Sequence, residues 1–268
     1  MNNKIIVIKC GGSIMSAVTE INTLCKNILQ LQSNNIKIVI VHGGGPEINK
    51  LAKLHSINSK FIKGIRVTNQ ETIELCYMAL IGINNTKITQ QLNKYSINAV
   101  GLSGFDNKFL TAELLDFKSL GYVGKITNVN SELLDILIEN NIIPIIAPLA
   151  FDNKFTPLNI NADMVASSIA AKLNAHALIL LSDIDGYYKN YPDKKSLVES
   201  ITTAEIKELL SNNLVVNGMI PKLQACYEAV DTAVDSAYII NANHDYQLDK
   251  LINNELVIGT KIIKGIPL

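Results

Sequence analysis

The chain has 268 residues, 48% apolar and 18% charged, and its 24 basic side chains balance 24 acidic ones. These totals describe a globular chain with ample core for one large α/β domain or two intimate lobes; they exclude a disordered polymer and offer neither a nucleic-acid footprint nor a polybasic membrane arm. The 4 cysteines include no CxxC pair, which disfavours a zinc or disulfide framework and makes the chain read as cytoplasmic, and no apolar run reaches membrane-spanning length.

Taken in order, the elements alternate between short β-branched runs and longer amphipathic stretches. Strands are predicted at Ile5–Ile8, Ile36–Val41, Ile97–Leu102, Ile142–Ala147, Ala177–Leu181 and Ala237–Ile240. Helices are predicted at Val18–Gln32, Glu47–His55, Gln70–Lys94, Ser131–Glu139 and Asp163–Leu173. Continuous apolar strands separated by helices predict a mostly parallel sheet covered on both faces. Phe61–Thr68 and Leu110–Thr127 break the rhythm and read as hairpins that could form a lid. If there are two lobes, they divide near residues 150–159.

Ligands of open α/β sheets bind at the carboxyl ends of strands, so the residues after each strand carry the functional reading. The first strand runs into "KCGGS", where Lys9 precedes Gly11 and Gly12. A Walker loop has the opposite order. Lys9 either snorkels out of the strand end or holds its ammonium at a ligand rim; the stretch alone does not choose. The second strand runs into "HGGGPE". Its glycines, Gly43 to Gly45, let backbone N–H groups turn toward an anion, and Pro46 suits a first helical turn. This is not GxGxxG, so a dinucleotide site is unsupported. Arg66, in the first hairpin, is either a surface arginine or a fork for a carboxylate.

Farther on, "NINAD" places Asn159, Asn161 and Asp163 before a helix. Asp163 reads first as an N-cap, and the two asparagines face one side of an extended segment. "SDIDG" follows the fifth strand. In "NGMIPKLQA", Gly218 opens a helix with Pro221 in its first turn. Lys222 then opposes the helix dipole unless an anion intervenes. His42, His55, His176 and His244 are dispersed with no HxxxH spacing, so no protein-bound metal is expected, and no Ser/His/Asp arrangement is evident.

In order, "IKCGGS", "VHGGGPEI", "FIKGIRVTNQET", "GLSGFD", "GYVGKI", "NINAD", "LILLSDIDG", "GMIPK" and "GTKI" resemble the amino-acid kinase family over nearly the whole chain, and within it the acetylglutamate kinases. The resemblance implies an α/β fold, a three-layer αβα sandwich with a central mostly parallel sheet. It also implies phosphorylation of N-acetyl-L-glutamate by ATP to N-acetyl-L-glutamyl 5-phosphate, a step of arginine biosynthesis, with Mg²⁺ carried by the nucleotide. An N-lobe of about residues 1–158 is expected to bind the amino acid and dimerise, and a C-lobe of about 159–268 to bind ATP. By the family pattern, Lys9 and Lys222 stabilise the transition state and Asp163 holds both ammonium groups. Gly44, Gly45, Arg66, Asn159 and Asn161 bind the substrate. Gly11, Gly12, Ser182, Asp183, Gly186, Tyr187, Gly218, Met219 and Ile220 serve ATP. Gly11, Gly12, Gly44 and Gly45 are expected to supply N–H groups to the phosphoryl and the attacking carboxylate.

Two positions depart from the pattern. "DIDGYYKNYPD" is closer to the nucleotide segments of aspartokinases, uridylate kinases and carrier-protein-linked aminoadipate kinases, and Asn69 stands where Asp is usual. A lysine-pathway relative of the latter type and a non-catalytic sensor on the same fold are the alternatives. The first strand begins within a few residues of Met1, without the helix that joins arginine-inhibited relatives into rings, so a homodimer without arginine feedback is expected.

Overall fold

In this computed structural model, residues 4–12, 18–62, 64–215, 218–242, 248–253, 255 and 258–265 are described. Ser13, Asn217 and His244 lie outside them. The strands are β1 (Ile5–Cys10), β2 (Lys37–His42), β3 (Phe61–Ile62), β4 (Ile65–Arg66), β5 (Ala99–Ser103), β6 (Leu110–Leu114) and β7 (Val123–Val129). They continue with β8 (Ile143–Ala147), β9 (Leu149–Phe151), β10 (Pro157–Ile160), β11 (Ala177–Ser182), β12 (Ser200–Thr202), β13 (Ser236–Asn241) and β14 (Gly259–Ile263). Eight form the main sheet in the order β12-β14-β13-β11-β1-β2-β8-β5, parallel except where β13 meets β14.

The sheet is central because its strands are apolar on both faces. In β1, Val7 enters one core with helices Ala162–Lys172 and Ile220–Thr232, while Ile6 and Ile8 enter the opposite core with helices Val18–Ser33 and Thr86–Lys94. The period-2 alternation of a strand therefore feeds two cores at once, which makes a three-layer αβα sandwich. Full burial of each such side chain is worth roughly 1.5–3 kcal/mol, so the sheet and its flanking helices carry most of the hydrophobic stabilisation.

The two predicted hairpins have different fates. β3 and β4 pair as expected, with Phe61 and Ile62 exposed. Leu110–Thr127 supplies β6 and β7, but these join β9 and β10 in a small four-stranded barrel. β9 and β10 hold only three and four residues, too few to show a period in sequence. The predicted helix Gln70–Lys94 is interrupted: its middle, Tyr77–Asn85, is a π-helix between two α-helical pieces.

One backbone junction ties the β4 segment to the barrel. Thr68 N–H donates to the Leu120 carbonyl at 2.8 Å, and Tyr122 N–H donates to the Thr68 carbonyl at 2.7 Å. The chain passes between them at Gly121 with φ +70°, where an added Cβ would lie 2.2 Å from the Thr68 oxygen. Both the left-handed backbone and the close approach require glycine. Gly121→Ala is expected to cost about 1–3 kcal/mol of unfolding free energy, measured by urea denaturation; a midpoint unchanged from the parent would contradict this account of the junction.

Candidate active site

A cavity of about 610 Å³ opens at the carboxyl end of the sheet. Lys9, Gly12, Gly43, Gly44, Gly45, Arg66, Asn159, Asn161 and Asp163 all line it. Three predicted rim segments thus meet because β1, β2 and β10 end there, and the β4 hairpin closes one side.

At the centre, Asp163 is 4% exposed and faces two cations. Lys9 Nζ lies 2.8 Å from Oδ1, oriented as an ion pair rather than an aligned hydrogen bond, and Lys222 Nζ lies 3.6 Å from Oδ2. Burial by itself raises the carboxyl pKa, but the ammonium groups of Lys9 and Lys222 overcome it, so Asp163 titrates below its ordinary value. Lys9 reaches the site from the end of β1; Lys222 reaches it from the first turn of helix Ile220–Thr232, where Pro221 sits as predicted. The dipole mismatch noted for Lys222 is resolved by a buried carboxylate opposite it.

The N-cap expectation for Asp163 is corrected by the structure. Asn161 caps helix Ala162–Lys172, its side-chain oxygen accepting from the N–H groups of Asp163 and Met164 at 2.8 and 3.3 Å. Asp163 lies inside the first turn, free to point at the lysines. Asn159 Nδ2 donates to Thr68 Oγ1 at 3.2 Å, which links the amide to the β4 segment. Asn69 caps the next helix, accepting from Thr72 N–H and Oγ1 at 2.9 and 2.7 Å, a role that Asn and Asp fill alike.

Arg66 is 8% exposed. Its guanidinium donates to Ser59 Oγ at 2.9 Å and to the Gly45 carbonyl at 3.3 Å, and it stacks 4.7 Å from the Phe61 ring centroid. These contacts fix a planar fork at the cavity wall. The glycine loops approach closely: a Cβ on Gly12 would stand 2.7 Å from Pro46 Cδ. Gly11 N–H is engaged by the Leu181 carbonyl at 3.2 Å.

A second hollow, about 190 Å³, is lined by Ile184, Gly186, Tyr187, Tyr188, Tyr191, Leu214, Gly218 and Met219. Ile220 borders the larger cavity, so the segment 218–220 spans the two. Asp185 braces the smaller one, accepting from Tyr188 Oη at 2.6 Å and from Asn241 Nδ2 at 2.7 Å. A Cβ on Gly186 would meet Thr260 Oγ1 at 2.5 Å. Ser182 is buried and donates to Asp183 Oδ1 at 3.2 Å; neither side chain is among the lining residues of the two hollows. Tyr188 and Tyr191 belong to "DIDGYYKNYPD", the stretch compared above with nucleotide segments, whereas Leu214 carries no signal in the sequence. Among the described residues no three His, Cys, Asp or Glu side chains cluster as metal ligands.

Glycine loops and two lysines facing one buried aspartate, at the carboxyl end of a doubly covered sheet, are the arrangement of a small-molecule kinase. The amino acid kinase family model matches residues 4–241, and the chain belongs to that family. It is similar to the acetylglutamate kinase of Clostridium acetobutylicum, 40% identical over 92% of this chain and 86% of the relative. It is also similar to that of Petrotoga mobilis, 40% identical over 98% and 88%. Among solved structures it is similar to smu.665 from Streptococcus mutans, with TM-score 0.84 and 30% identity over 97% of this chain and 99% of that one.

The Asp163 ion pairs predict a pH signature. Its folded-state pKa is depressed, so the ionised group contributes stability above about pH 4, and the contribution is lost as pH falls through the folded value. Asp163→Asn leaves two ammonium groups without a counter-charge. Urea unfolding is expected to show a deficit that is largest at neutral pH and shrinks in acid. A deficit independent of pH would remove the ion pairs from the account.

Proposed function

We propose that this chain transfers the γ-phosphoryl group of ATP to the side-chain carboxylate of N-acetyl-L-glutamate, giving N-acetyl-L-glutamyl 5-phosphate and ADP, a step of arginine biosynthesis. The observation that carries the reading is Asp163 held between Lys9 and Lys222 at a cavity that Arg66 and Asn159 also line. The relatives named above, at 40% identity over most of the chain, support the same substrate.

The chemistry suits these residues. A glutamate side chain is ionised at neutral pH, so no general base is needed. The barrier is an anion approaching a polyanion, and catalysis must come from alignment and charge stabilisation. Lys9 and Lys222 supply positive charge from two sides of the transferring group, and Asp163 keeps both in place rather than moving a proton. Gly12, Gly44 and Gly45 line the same space and offer backbone N–H groups there. Arg66 and Asn159 hold the substrate α-carboxylate, with Asn161 beside them. Apart from Asn159 and Asn161, residues to about 158 bind the amino acid and those from about 159 the nucleotide, whose base side enters the hollow at Gly186, Tyr187, Gly218 and Met219. Gly11, Ser182 and Asp183 support that side from behind. Mg²⁺ arrives with the nucleotide phosphates. A biosynthetic kinase of this kind works in the cytoplasm.

A homodimer is part of the reading. Met78, Ile81 and Ile83 are exposed on the helix beside β5, which is an edge of the main sheet. An apolar helix face next to an open strand edge fits a second copy of the chain. Sedimentation is expected to give twice the 29.3 kDa chain mass, and Ile81→Glu to give monomers; a monomeric parent protein would overturn the dimer.

ADP release from ATP and Mg²⁺ tests the activity, with N-acetylglutamate, glutamate, aspartate and UMP in parallel. Turnover is expected with N-acetylglutamate, and release with UMP alone would sink the assignment. Lys222→Ala is expected to lower kcat by about 10²–10³ with little change in KM, as for loss of a transition-state contact. Near-normal turnover would refute the mechanism.

A further inference from the structure

Backbone N–H donors stabilise a transition state only if their peptide planes are fixed beforehand. The Gly43–Gly44 peptide is fixed by side chains to which no role has yet been given. The Gly43 carbonyl accepts from His42 Nδ1 at 3.0 Å and from Asn84 Nδ2 at 3.1 Å. In a trans peptide the carbonyl and the following N–H point in opposite directions, so anchoring the oxygen turns the Gly44 N–H the other way. Gly44 is one of the residues that line the cavity. A Cβ added to Gly12 would lie 3.3 Å from Gly44 N and 3.2 Å from Gly45 N, and all three glycines line the space beside Lys9.

The anchor is itself held rigidly. His42 is fully buried, and its Nε2 faces Asn85 Nδ2 at 3.2 Å. That pairing selects the neutral tautomer, with the proton on Nδ1 for the Gly43 carbonyl and the lone pair on Nε2 for Asn85. Burial holds the imidazole in that form, pushing its pKa down to about 4. Asn85 Nδ2 also reaches the Ile145 carbonyl at 2.7 Å and the Leu102 carbonyl at 3.2 Å, tying the imidazole to β8 and β5. Asn84 and Asn85 are successive residues, 2% and 5% exposed, at the end of the π-helical stretch. Both face inward, Asn84 toward Gly43 and Asn85 toward His42. Asn84 also presses on the loop: a Cβ on Gly44 would meet its Nδ2 at 2.8 Å and Leu80 Cδ2 at 2.4 Å.

We propose that Asn84 and His42 are positioning residues for phosphoryl transfer, clamping the Gly43 carbonyl so that the Gly44 N–H stands aimed at the transferring group. The inference rests on the kinase reading above, so turnover of the parent protein with N-acetylglutamate is measured first; an inactive parent would refute that reading rather than the clamp. Asn84→Asp keeps the side-chain shape but replaces the donor with a carboxylate oxygen facing the Gly43 oxygen. The expected result is a fall in kcat of about a hundredfold with KM for both substrates little changed, in a variant whose thermal midpoint lies above the assay temperature. Unchanged kcat, or a raised KM at constant kcat, would overturn the clamp. Should that variant not fold, ¹⁵N-glycine-labelled parent protein decides. Its Gly44 amide signal is expected to shift when ADP, Mg²⁺ and aluminium fluoride are added to the N-acetylglutamate complex, and an unmoved Gly44 signal would overturn the proposal.

Discussion

The arrangement of the site depends on one buried carboxylate facing two ammonium groups. Lys9 and Lys222 repel each other, and a low-dielectric cavity magnifies that repulsion. Asp163 between them makes their approach tolerable, and its own charge is tolerable only because both are there. It sits in the first turn of a helix, where the dipole favours an anion. The result is a net positive site with its charges already in place, which is what an incoming phosphate and carboxylate require.

The sheet makes that arrangement possible. β1 lies between β11 and β2, so the end of β1, which carries Lys9, is held on both sides by parallel neighbours. Around it, glycines occur where a Cβ would run into a neighbouring side chain, as at Gly12 against Pro46 and Gly44 against Leu80. Backbone bonds at Thr68 join the barrel to the β4 segment, and Arg66 and Asn159 line the same cavity.

Much of this was legible in order along the chain. The main strands could be read because a strand buried on both faces is a continuous apolar run, and "KCGGS", "HGGGPE" and "NINAD" stood out as polar or glycine-rich breaks directly after such runs. The choice between Asn161 and Asp163 as the helix cap was not legible, because both side chains cap well and two positions separate them. β9 and β10 were too short to show a period. The π-helical turn was hidden inside a stretch that reads as one long helix, since nothing in residue type distinguishes the two hydrogen-bonding patterns.

Residue type and order alone show which segments can form strands, where glycine is placed, and which charged groups follow strand ends; these are local properties of side chain and backbone. It takes the folded chain to show that Lys9, Asp163 and Lys222 share one ion-pair cluster, that Asn161 rather than Asp163 caps the helix, and that His42 and Asn84 grip the same carbonyl. Lys9, Asp163 and Lys222, and likewise His42 and Asn84, are separated by tens to more than two hundred positions, and the distances between them are set by how the strands pair and how the helices pack on the sheet. No local pattern records that.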